Sequence, residues 1–159
     1  MKNKLVIITS WALVVATMAI IFIFSSQNAD SSSSLSQSVV VEILDIVMDK
    51  EDITPSVIKK YHFPIRKLAH FGIYMLLGFC MINAFNKSFK LKKWLIILLS
   101  IVASGLYAVS DEIHQNFTAG RGPGLVDVLI DTGGAVVGIS LFILFIFLYN
   151  KIFNKKSRA

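Results

Sequence analysis

Three runs of this chain place ionisable side chains at helical spacing within otherwise apolar sequence. Arg66, His70 and Tyr74 recur every four residues. Tyr107, Ser110, Asp111, His114 and Gln115 fall at spacings of three and four, and Asp127 and Asp131 are four apart. Residues three and four apart share a face of an α-helix, with four residues rising about 6 Å. Each run is therefore a polar stripe, with Glu112 pointing away from the second. A charge at the middle of a membrane helix costs about 2.5–3.5 kcal/mol on insertion scales, so such groups stand where they are paired or where they act.

The residue types define what that action would be. His70 and His114 are candidates for general acid–base work, and Asp111, Asp127 and Asp131 for bases or nucleophiles. Arg66 and Arg121 offer guanidinium forks to a phosphate or carboxylate, with Tyr74, Glu112 and Gln115 as further ligand-binding groups. The plain alternative is an interior salt-bridge network in which the two arginines neutralise the three aspartates. No cofactor is evident and no ligand motif such as H-E-x-x-H occurs. A divalent cation remains the alternative if Asp111 and His114 share it and His70 or Asp131 completes the shell. Cys80 is the only cysteine, which excludes an internal disulfide and a multi-cysteine metal site. Arg121, Asp127 and Asp131 match the R-x5-H-x3-D spacing of membrane lipid phosphatases, but Asp stands where the nucleophilic His belongs.

Four apolar stretches must carry these stripes. Over 159 residues, 55% are hydrophobic and only 16% charged, against about 25% charged in soluble domains. The stretches support transmembrane helices over about 5–24, 66–85, 94–115 and 125–149, each near the 20 residues that cross about 30 Å of hydrocarbon. The expected fold is all-α: a polytopic membrane protein with four transmembrane helices and an outer amphipathic helix in the first loop, as a single domain over 1–159. Lys2 and Lys4 precede the first stretch as in a signal peptide. Its apolar run exceeds a signal's core and lacks a clear cleavage site, so it is read as an anchor.

Charge sets the orientation. The N-terminus, the segment 86–93 and the tail together hold ten basic residues and no acidic one, so the formal net charge of +6 divides into +10 there and −4 elsewhere. Short basic segments stay in the cytoplasm, which places both termini inside and the polar stripes at the outer face of the cytoplasmic membrane. The basic excess then speaks for anionic lipids as partners and against nucleic acid.

The outer loop opens with a Ser-rich, flexible stretch over 28–34. Leu35, Val39, Ile43, Ile46 and Val47 then recur at helical spacing opposite Ser36, Glu42, Asp45 and Asp49. Thr54 before Pro55 signals a helix start, with a short helix over 55–60 and Pro64 opening the second membrane helix. Gly133, Gly134 and Gly138 supply a groove for close helix packing.

Taken in order, Phe24-Ser25-Ser26-Gln27, Arg66-Lys67-x-x-His70-Phe71 with Tyr74 and Gly78, Ser110-Asp111-Glu112-x-His114-Gln115, and Gly120-Arg121 followed by Asp127, Asp131 and Gly134 resemble the VanZ-like family of small bacterial membrane proteins. The resemblance covers about 24–138. It implies a four-helix protein of the bacterial cell envelope, in a family whose name-giving member is associated with teicoplanin resistance. It implies no particular biochemical activity. Three functions stay open: recognition of an anionic lipid or lipid-linked cell-wall precursor, an enzyme acting on a lipid or polyprenyl phosphate head group, and a small transporter working as an oligomer.

Overall fold

The computed structural model describes residues 4–27, 29–49, 52–117 and 124–153. These form five helices: α1 (Lys4–Ser25), α2 (Ala29–Val47), α3 (Pro55–Ser88), α4 (Lys93–Gln115) and α5 (Leu125–Phe153). All but α2 are long and apolar enough to cross a membrane. Of the ten basic residues that set orientation, Lys2, Lys155, Lys156 and Arg158 lie outside the described residues, as does Asn28.

The solvent pattern is inverted relative to a water-soluble bundle. On α4 the buried residues are Ile96, Ser100, Ser104, Ala108, Asp111, Glu112 and Gln115, whereas Leu98, Val102, Leu106, Val109 and Ile113 are exposed. Small side chains inside let helix backbones approach, and hydrocarbon accepts the leucines outside. The same logic runs along α1, which buries Ser10, Val14, Thr17, Ile21 and Ser25. Ser10 and Thr17 donate their hydroxyls to Val6 O and Leu13 O of their own helix, so neither needs water.

The most extensive seam joins α3 to α5. A Cβ on Gly78 would collide with the Ala135 backbone, one on Gly134 with the Phe71 carbonyl, and one on Gly138 with the Met75 carbonyl. Gly133 meets only the far edge of the Phe71 ring and is not part of the seam. This contact fixes the register of α3 against α5, and His70 and Asp131 sit at its end.

Two expectations are corrected. The Ser-rich stretch is helical from Ala29 onward, because α2 starts directly after α1 and runs into the amphipathic segment. Among its described side chains Val40 and Leu44 are buried, whereas Leu35, Val39, Ile43, Ile46 and Val47 stay exposed. The apolar arc is wider than one stripe, and α2 seats only part of it on α3. Pro64 does not open a new helix either. Thr54 caps Val57 N at 3.4 Å with Pro55 following, and α3 then continues through Pro64 to Ser88. Lys60 and Pro64 are both exposed, so the carbonyl that proline leaves unbonded is open to solvent and one lost bond does not end the helix. At 34 residues α3 is about 51 Å long, well beyond the hydrocarbon thickness, so its first turns project from the membrane or the helix tilts.

Candidate functional site

The bundle has two chemically distinct ends. At one, Trp11 Nε1 donates to Ser88 Oγ at 2.8 Å, Asn83 Nδ2 donates to Ser10 Oγ at 3.3 Å, and Trp11 packs edge-on against Phe85. In the middle, Tyr107 donates its hydroxyl to Met18 O at 2.6 Å. At the other end the last turns of α1 and α4 meet the stripes of α3 and α5.

Asp111 lies at the centre of this second end and is only 4% exposed. Ser25, the last residue of α1, donates to Asp111 Oδ2 at 2.8 Å, and Gln115 Nε2, one turn along α4, donates to the same oxygen at 3.1 Å. Both donors are neutral. Asp131 of α5 is 3% exposed, and its Oδ2 lies 4.0 Å from His70 Nδ1 of α3. Asp111 Oδ1, Asp131 Oδ1 and the Tyr74 hydroxyl are all buried without a hydrogen-bond partner among the described residues. Buried polar atoms normally find partners, since each unmet one costs about 1–3 kcal/mol. Three such atoms, on the polar stripes of α3, α4 and α5, make this end the candidate site.

The expected residues divide into those that converge and those that do not. His70, Asp111 and Asp131 come together, each presenting a ligand atom within 4.8 Å of the others. Among the described residues they are the group that could hold a metal ion. Tyr74 is fully buried on the stripe that carries His70. Asp127 sits at the rim, half-exposed, with Lys67 Nζ 2.7 Å from its Oδ1. His114 turns instead towards α1, stacking on Phe22 with ring centroids 4.6 Å apart and placing Nε2 3.2 Å from Ser26 Oγ. Glu112 is buried, and its Oε1 accepts the Gly124 N–H at 2.6 Å, which fastens the start of α5 to α4. Arg121 lies outside the described residues.

Two side chains that the stripes did not nominate belong to the site. Ser25 carried no signal except its place in the family pattern. Lys67 could have been found, because three residues before His70 is the same helical face as four.

Two cavities meet at this end. A polar recess of about 70 Å³ is walled by Arg66, Lys67, His70, Gln115, Asp127 and Asp131, with Phe63 and Ile130. A second, mostly apolar cavity of about 280 Å³ lies between α1, α2 and α3, lined by residues that include Ile21, Phe24, Leu35, Val39, Ile65 and Ile73. Arg66 and His70 line both. The arrangement can accept charge at one point and an apolar body beside it.

No curated protein and no solved structure matches the chain. A family model described as VanZ/LLP1 matches residues 10–147, which includes every described residue of the site, and the chain belongs to that family, as a multi-pass membrane protein of the cell envelope.

Proposed function

We propose that the protein recognises an amphiphile of the cell envelope, an anionic lipid or a lipid-linked cell-wall precursor, with the head group at the polar recess and the chain in the apolar cavity. The observation that carries this is the sharing of Arg66 and His70 by the two cavities. A small polar solute would need only the recess, and a purely apolar one would leave the guanidinium without a use. Arg66 supplies the fork for a phosphate or carboxylate oxygen, and Lys67 adds a second cation beside it. The exposed apolar residues of α2, Leu35 and Val39 among them, form one wall of the chain cavity.

In this reading the site faces outward from the cytoplasmic membrane. The support is the charge division: the segment 86–93, at the opposite end of the bundle, carries Lys87, Lys90, Lys92 and Lys93. Holding a lipid-linked precursor there would change its access to a glycopeptide, which supplies a physical route to teicoplanin tolerance.

Native mass spectrometry of the detergent-purified protein tests it. One anionic lipid per chain is expected, with occupancy falling at least tenfold in Arg66→Ala and in Leu35→Trp, which fills the cavity. If both variants keep the wild-type lipid complement, and cells expressing them keep wild-type teicoplanin susceptibility, the reading is wrong.

A second reading, an enzyme acting on the same head group, draws on the pairing of His70 with Asp131, which suits general acid–base catalysis. It requires product release from phospholipid or polyprenyl phosphate by the wild-type protein, abolished in His70→Gln.

A further inference from the structure

We infer that His70, Asp111 and Asp131 form a binding site for a divalent metal ion, of the manganese or zinc class, at the floor of the polar recess. Three atoms within 4.8 Å of one another lie within about 2.8 Å of a common centre, against metal–oxygen distances of about 2.3–2.6 Å for calcium and about 2.0–2.2 Å for smaller divalent ions. Side-chain shifts of about 0.6–0.8 Å therefore close the shell around one of the smaller ions.

Burial and orphaned atoms point independently to a cation. Asp111 and Asp131 are each more than nine-tenths buried, and each keeps an Oδ1 with no hydrogen-bond partner among the described residues. For Asp111 the reason is geometric. Ser25 and Gln115 both bond to Oδ2, which orients the carboxylate and leaves Oδ1 to be satisfied by another group. Hydrogen bonds to the outer oxygen of a ligating carboxylate are the ordinary way a protein aims such a ligand. The neighbouring cation Lys67 is engaged by Asp127 at 2.7 Å, so the two inner carboxylates are not its nearest partners.

Donor chemistry narrows the ion. Two carboxylates and one imidazole suit manganese or zinc better than calcium or magnesium, which take oxygen ligands almost exclusively. Three protein ligands leave coordination positions open, and the recess walled by Arg66 and Lys67 offers both an entry path and a place for an anionic oxygen. Ser25 and Gln115 act as positioning residues, through Asp111.

The test uses full-length protein in detergent, stripped with chelator and titrated calorimetrically with manganese, zinc and calcium chlorides, with no lipid added. Wild-type protein is expected to bind one equivalent of manganese or zinc. Asp111→Asn and Asp131→Asn each weaken binding at least tenfold, and Ser25→Ala weakens it severalfold. His70→Gln reduces zinc affinity more than calcium affinity. Asn83→Ala, at the opposite end of the bundle, binds as wild type. Gel filtration and circular dichroism confirm that each variant is folded; because Asn keeps the shape of Asp, folded variants are the expected background. Wild-type affinity in both Asp→Asn variants, or no saturable binding of any of the three ions, overturns the assignment. Metal and lipid are read by separate measurements, so that result would leave lipid recognition standing, and lipid loss in Arg66→Ala would leave the metal site standing.

Discussion

The two ends of the bundle anchor α1 by opposite means. Where α1 meets the end of α3, the links are neutral and local in chemistry: Trp11 to Ser88, Asn83 to Ser10, and an aromatic edge contact. Where α1 meets α4, the link is a buried carboxylate held by a serine and a glutamine, and a second buried carboxylate, Asp131, lies beside it. Four helices can be locked by the first kind of contact alone. The second kind carries desolvation costs that a purely structural end has no reason to accept. The difference makes the second end the candidate site, without recourse to any catalytic motif.

The most disruptive change should abolish both ends at once. Gly138→Val places a side chain against the Met75 carbonyl in the α3–α5 seam, where neither backbone can yield. A loss of more than about 3 kcal/mol is expected, seen as failure to accumulate folded protein in gel filtration. Wild-type yield would show that the seam does not set the register of His70 against Asp131.

Next in size, Asp131→Asn should stabilise the metal-free protein while impairing the site. Replacing a buried, incompletely bonded carboxylate by its neutral isostere is expected to add about 1–2 kcal/mol, or about 2–8 °C in thermal midpoint for a chain of this size. A drop in midpoint in chelator would instead make this end structural, like the other. Trp11→Phe is the mirror experiment. It deletes one hydrogen bond to Ser88 and should cost about 1 kcal/mol in a thermal scan, with metal and lipid binding unchanged. The smallest effect is expected for Lys67→Met, because its ion pair with Asp127 is partly exposed; the change should stay below about 1 kcal/mol. A larger loss would place the Lys67–Asp127 pair among the contacts that hold the bundle.

The α3 stripe shows how far a single chain can be read. Arg66, His70 and Tyr74 are recognisable as one face because four-residue spacing is a property of the helix itself. Helix α4 shows where this stops. Asp111, His114 and Gln115 share a stripe by spacing, yet Asp111 and Gln115 turn inward whereas His114 stacks on Phe22 of α1. One step along a helix is a rotation of about 100°, so a small difference in how α4 is rolled decides which residue faces the cluster. Pro64 misleads for a similar reason: its local signal reads as a break, but exposed backbone tolerates one missing hydrogen bond.

Length, hydropathy and helical period therefore determine the four spans, the polar stripes and the division of charge between the two ends, since each depends on residues near one another in the chain. Tertiary structure alone decides that Ser25 reaches Asp111 across 86 residues, that His70 and Asp131 meet, and that Glu112 fastens Gly124 instead of lining the cluster. Those outcomes follow from the roll and register of whole helices, which the glycine seam between α3 and α5 sets by letting two backbones touch.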